Sequence, residues 1–137
     1  MAGSLRWSMG LTGAVMWSLL VVAFCLQPDP RGIGTHEQLG LPPCMFSVIC
    51  GFRCPSCGMT TSWAHLTHGR VQQALQASAS GSLLSCLALL GGGHLLVSAA
   101  TGRWLTRWKN ENTGAVLAAT VGGLVLIEWM IRLAAGR

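Results

Sequence analysis

Three long apolar runs organise the chain, separated by one polar, cysteine-bearing stretch and one short basic stretch. No charged residue occurs between Arg6 and Asp29, and Met9 to Leu26 is filled with Leu, Val, Ala, Trp and Phe. A run of that length crosses about 30 Å of hydrocarbon as a helix. Pro28 and Pro30 stop it, so a first span is expected over residues 9–27. A cleaved signal peptide is the rival reading of the same run. No small-x-small site closes it, and bulky Phe24 before Cys25 makes a poor lipoprotein box, so an uncleaved helix is expected.

Val71 to Gly102 again carries no formal charge, and its apolar centre predicts a second span over residues 82–101. Gly91, Gly92 and Gly93 lie inside it. In water they would argue against a helix, whereas in a membrane small residues let helices approach closely. The third span is expected over 113–132, apolar except for Glu128, with Arg132 four residues on in the favourable order for an ion pair. Interfacial anchoring by that pair is the plain expectation, because both residues lie near the helix end. Gly114, Gly122 and Gly123 predict a face for helix packing or a homo-oligomer. Trp104, Trp108 and Trp129 fall at span ends, as an aromatic belt does.

Composition sharpens this picture. Of 137 residues, 51% are hydrophobic and 9% charged, and mean hydropathy is +0.51. A soluble domain carries roughly 25% charged residues, so lipid is the better solvent for this chain. The fold class is therefore an all-α membrane protein of about three transmembrane helices, a single domain over residues 1–137. The net charge of +5 is spread along the chain. Its one cluster, Arg103, Arg107 and Lys109, lies between apolar runs, so the expected partner is the lipid bilayer and not nucleic acid. The dense second loop and basic N-terminus favour a cytoplasmic N-terminus in a cell (inner) membrane, with the first loop outside.

That first loop, residues 28–58, holds the candidate chemistry. Cys44, Cys50, Cys54 and Cys57 fall within fourteen residues, among turn-forming Pro42, Pro43, Gly51, Pro55 and Gly58. Cys25 and Cys86 lie in apolar spans and read as small buried hydrophobes. Cys54-Pro55-Ser56-Cys57 precedes a segment able to form a helix, whose N-terminus stabilises a thiolate. Three outcomes stay open. Disulfides tie the loop down in an oxidising compartment, with three pairings possible for four cysteines. Zinc is held by the four thiols, or by some of them with His65 or His68. The third outcome is thiol–disulfide exchange, with Cys54 as nucleophile and Cys57 as resolving thiol.

His65 and His68 share one helix face; if they bind no metal, they face water. His94 lies within the second span, where an ionisable group is rare, and His36 is solvated. Residues 59–78 read as a short amphipathic interfacial segment broken at Gly69, with Trp63 at the interface and Gln72, Gln73 and Gln76 in water. No P-loop, dinucleotide fingerprint or His-Glu-x-x-His motif occurs.

Leu41-Pro42-Pro43-Cys44-Met45-Phe46, then Gly51-Phe52-Arg53-Cys54-Pro55-Ser56-Cys57-Gly58-Met59-Thr60, then Gly69 and Ala74, resemble the DUF2752 family of small bacterial membrane proteins of unknown function. The resemblance covers about residues 36–90. It places the family's motif cysteines on Cys44, Cys54 and Cys57, with Gly58 and Thr60 beside them. Thr61 stands where the family often has arginine, and Arg70 where it often has aspartate. The resemblance implies a membrane architecture and directs attention to Cys54 and Cys57, but implies no activity. The leading functional expectation is non-enzymatic: a loop stiffened by disulfides or metal that forms a surface platform for a partner or ligand. The rival is a membrane thiol–disulfide oxidoreductase.

Overall fold

The structure, a computed structural model, describes residues 3–103 and 112–136. Trp104, Arg107, Trp108 and Lys109, invoked above, lie outside the described residues. Six α-helices run along the described chain: α1 (Gly3–Cys25), α2 (Met45–Cys50), α3 (Met59–Thr67), α4 (Val71–Ala77), α5 (Ala79–Thr101) and α6 (Thr113–Ala134), with a 3-10 turn over Thr35–Leu39. Helices α1, α5 and α6 are each long and apolar enough to cross a membrane. The expected loop 28–58 therefore contains two short helical pieces, and the expected interfacial segment resolves into α3 and α4.

Helix α1 starts earlier than the span read from hydropathy. Arg6 is accommodated because its guanidinium donates to Ala99 O at 3.2 and 3.0 Å and to Ala100 O at 3.4 Å. Those carbonyls belong to the last turn of α5, whose acceptors have no partner within their own helix. The pairing runs antiparallel, with Arg6 at the end of α5 and Trp17 near its middle. Gly13 and Gly92 make the close crossing: a Cβ on Gly13 would stand 2.9 Å from Gly92 O, and one on Gly92 would stand 2.9 Å from the Trp17 ring. The glycine run that weakens a helix in water is here where two helices meet in lipid. Gly114, Gly122 and Gly123 of α6 have nothing within 4 Å of an added Cβ, and α6 buries no residue within the chain.

Helix α3 lies inward. Its Thr61, Ser62, Ala64 and His65 are buried, and the helix packs against α1 and α5 as well as α4. A seam of small hydroxyls makes this possible. Ser62 donates to Ser78 O at 3.0 Å and pairs with Ser82 Oγ at 2.8 Å. Ser82 donates to the same carbonyl at 2.9 Å, and Ser78 Oγ caps α5 by accepting from Gly81 N at 3.0 Å. Thr61 meets Thr35 at 2.7 Å, and Thr35 accepts from Asp29 N at 3.1 Å. Each bond satisfies a polar atom that would otherwise be stranded in an apolar bundle.

The third span joins this core through its charged end. Glu128 accepts from Ala79 N at 2.9 Å and Ser80 N at 2.7 Å, the free amides at the start of α5. Arg132 pairs with Glu128 and donates to Ala77 O at 2.8 Å and Cys57 O at 3.2 Å. The i,i+4 pair is thus formed, but it turns into the protein and not to the headgroups, with side chains only 20% and 16% exposed. Trp129 follows it inward, donating to Arg53 O at 2.8 Å. The reason is the concentration of unpartnered backbone groups at the α4–α5 junction, which charge-assisted bonds satisfy better than neutral ones.

Replacing Glu128 by alanine strands Arg132 and uncaps α5, and is expected to destabilise the fold by about 2–3 kcal/mol. Thermal unfolding of the detergent-solubilised protein measures this, and an unchanged midpoint would show that α6 does not secure the bundle.

Candidate functional site

The chain from Cys44 to Met59 folds as two tight steps. Cys44 precedes α2, with its carbonyl accepting from Ser47 Oγ at 2.8 Å and Val48 N at 3.1 Å. Helix α2 ends at Gly51, whose φ of 74° suits glycine. Cys54 to Cys57 forms a turn closed by Cys57 N donating to Cys54 O at 3.0 Å. Gly58 then starts α3 at φ 90°, where a Cβ would stand 2.7 Å from Ala77 O. Both the backbone sign and the space therefore demand glycine there. Helix α6 holds the turn at each end, through Trp129 on Arg53 O and Arg132 on Cys57 O.

These constraints bring together Cys44, Cys54 and Cys57, whose sulfurs all lie within 4.8 Å of one another. Cys54 and Cys57 sulfurs are 3.0 Å apart, which is hydrogen-bond range and beyond the bond of about 2.05 Å in a disulfide. All six cysteines are free thiols. Three other candidate ligands fall outside the cluster. Cys50 is exposed at the end of α2. His68 places Nδ1 2.7 Å from Ala64 O and stacks on Phe24 with centroids 5.2 Å apart. His65 is 9% exposed, contrary to the expectation of a residue facing water, and its Nδ1 has no hydrogen-bond partner. Pro43 and Pro55 lie in the loop and Thr60 in the first turn of α3, and Gly69 at φ 75° separates α3 from α4. His94 belongs to α5.

The three thiols are not equivalent. A backbone hydrogen bond from Ser47 pulls Cys44 down to about 7, helped by the thiols of Cys57 and Cys54. Burial pushes Cys57 up to about 12, and the neighbouring thiols of Cys54 and Cys44 add to the effect. Cys57 sits just before a helix N-terminus, a position that favours a thiolate, yet desolvation wins there. The sequence reading assigned the reactive thiolate to Cys54, whereas the thiol drawn down is Cys44. Of Cys44 and Cys57, the first is drawn toward the thiolate and the second is held from it. Sequence spacing did not show that ordering, because it depends on the fold of α2 against the turn.

Three membrane-length helices closed at one end by a three-thiol cluster define a small multi-pass membrane protein with a candidate thiolate site. Residues 44–92, which carry all three cysteines, match the family described as "Protein of unknown function (DUF2752)", the family whose motif the sequence resembles. The chain matches no curated protein and no solved structure.

Alkylation with iodoacetamide in detergent should modify Cys44 with a rate that rises through a midpoint near pH 7, because only the thiolate reacts. Cys57 should stay unmodified to about pH 9, well below its raised value. Peptide mass spectrometry across a pH series reads both. A Cys44 midpoint above about 8.5, the free-thiol value, would remove the asymmetry.

Proposed function

We propose that Cys44, Cys54 and Cys57 bind a thiophilic cation, with zinc the chemically favoured one, and that the bound loop is a rigid platform at the membrane surface. The mutual distance of the three sulfurs carries this reading. Zinc–sulfur bonds of about 2.3 Å in a tetrahedron place sulfurs about 3.8 Å apart, so the cluster needs only a small opening of the Cys54–Cys57 pair. Cys44 supplies the first thiolate near neutral pH, and the cation's charge draws the protons from the other two. With Cys50, His65 and His68 outside the cluster, three ligands leave a fourth position for water or a partner's side chain. Beside it α2 presents Met45, Val48 and Ile49, exposed by 62%, 64% and 74%, an apolar face suited to a docking protein. The open glycine face of α6 supports packing against a second copy or another membrane protein.

The 3.0 Å separation of Cys54 and Cys57 favours a second reading, a dithiol that cycles with a disulfide. Full-length protein purified in detergent under reducing conditions distinguishes the two. The platform reading expects about one zinc or cadmium ion per chain, with a cadmium–thiolate absorption band. Cys44→Ser or Cys57→Ser should abolish the band, and Cys50→Ser should keep it. Reduced protein that takes up no cation, and that on mild oxidation gains a Cys54–Cys57 disulfide read by peptide mass spectrometry, would overturn the metal reading in favour of the dithiol.

Helix α1's N-terminus and α5's C-terminus share one end of the bundle, with Arg6 and Arg103; Arg107 and Lys109 come next in the sequence. This basic end suits the cytoplasmic side of a cell membrane, which puts the thiols outside. Exposed Cys50 should then react with a membrane-impermeant maleimide added to intact cells. Labelling that appears only after the membrane is opened would reverse the orientation.

A further inference from the structure

A cleft of about 490 Å³ opens at the same end of the bundle, between the turn after α1, the residue before Cys54, and helices α3 and α4. Arg31, Arg53 and Arg70 border it with His65, Gln73 and Gln76, and no aspartate or glutamate does. In a chain with only four acidic residues, the charge balance here can be followed residue by residue. Arg31 is paired with Asp29 at 2.7 Å and with Glu37 at 3.6 Å. Glu128 is committed to Arg132, and Glu111 lies outside the described residues. Among the described residues, Arg53 and Arg70 therefore have no carboxylate partner. Two arginines without a carboxylate partner among the described residues thus line one cavity, and no acidic residue lines it. The wall adds an uncommitted polar group, the buried His65 ring with its unpartnered Nδ1. Burial, and then the charges of Arg70 and His68, hold this histidine below its ordinary value, so it offers a neutral ring with one N–H donor.

We propose that this cleft binds a phosphate group, carried either by a lipid headgroup or by a soluble phosphate ester. Guanidinium forks match phosphate oxygens in pairs, and amide donors from Gln73 and Gln76 complete a donor-rich, acceptor-poor lining. The level of the cleft makes both sources accessible. Its floor begins at Pro28, three residues past the end of α1, and ends at Ala77, two residues before α5 begins. That is where the first two spans leave the hydrocarbon and where headgroup phosphates lie. The proposal does not rest on the metal reading, since none of its side chains is a thiol.

The test uses the full chain in detergent. Native mass spectrometry compares retention of phosphatidylglycerol with diacylglycerol of the same tails, and calorimetry titrates glycerol 3-phosphate. Phosphatidylglycerol should be retained at least about tenfold better than diacylglycerol, or glycerol 3-phosphate should bind with measurable heat. The first result identifies the headgroup as the source and the second a soluble ester. An Arg53→Gln/Arg70→Gln double variant should weaken whichever binding is seen by about tenfold or more, while Arg103→Gln at the opposite end should not. Gln73→Glu, an exposed substitution that brings a negative charge to the rim, should weaken it independently should the double variant unfold. Equal retention of the two lipids with no heat from the ester, or binding unaltered in both cleft variants, would overturn the proposal.

Discussion

The structure depends most on a single ion pair that sits where hydropathy gives no reason for one. Glu128 and Arg132 belong to α6, yet nearly all they bind lies elsewhere: two amides at the start of α5, the last carbonyl of α4, and the carbonyl of Cys57. Apolar helices in lipid have little hydrophobic drive to associate, and no residue of α6 is fully buried within the chain. Its attachment is therefore polar and local, made at one end. Because the same guanidinium reaches both Ala77 and Cys57, the third span is tied to the second and to the thiol turn in one step. A tilt of α6 would be felt at Cys57 before it was felt anywhere in the apolar body of the bundle.

The two ends of the bundle are consequently built from different forces. Toward the N-terminus of α1 the contact is close backbone approach, Gly13 against Gly92, finished by Arg6 on the last carbonyls of α5. Toward the thiols it is a lattice of short hydroxyls and carbonyls, from Thr35 through Thr61 and Ser62 to Ser78 and Ser82. Side chains as small as Ser and Thr allow α3 to sit inside that end without a wide polar cavity. Their bonds are directional, which fixes where α3 begins and hence where Cys57 points.

The large-scale architecture was legible because it needs only length and apolarity: three runs, three membrane-length helices, with the cysteines between the first two. The boundaries were less so, since Arg6 reads as a stop in hydropathy and becomes a cap once α5 is beside it. The site was half legible. The Cys54–Cys57 spacing and the resemblance pointed to Cys44, Cys54 and Cys57, and those are the three that converge. Sequence alone gave no ground for excluding Cys50, which lies between them and leaves the cluster only because α2 carries it to the far end of a helix. His65 was misread because its helix was assumed to face water. The hydrogen-bonding roles of Thr61, Ser62 and Ser78 were not legible, since a small hydroxyl has no signature until its partner is known. Arg53 and Arg70 became informative only when the chain's few carboxylates were seen to be engaged elsewhere.

Three thiols with one lowered and one raised proton affinity make a group that changes character with what approaches it. Left alone, it ionises most readily at Cys44, where the Ser47 backbone bond and the neighbouring thiols favour the thiolate. In the proposed cation-bound form all three would be thiolates, because the cation's charge outweighs the desolvation that raises Cys57. An oxidant instead takes the closest pair, Cys54 and Cys57, and leaves Cys44 as the spare thiol. Either event acts on Cys57, and the Cys57 carbonyl is bonded to Arg132. The thiol turn is thereby linked through one hydrogen bond, from Arg132 to the Cys57 carbonyl, to the pair that holds the third span.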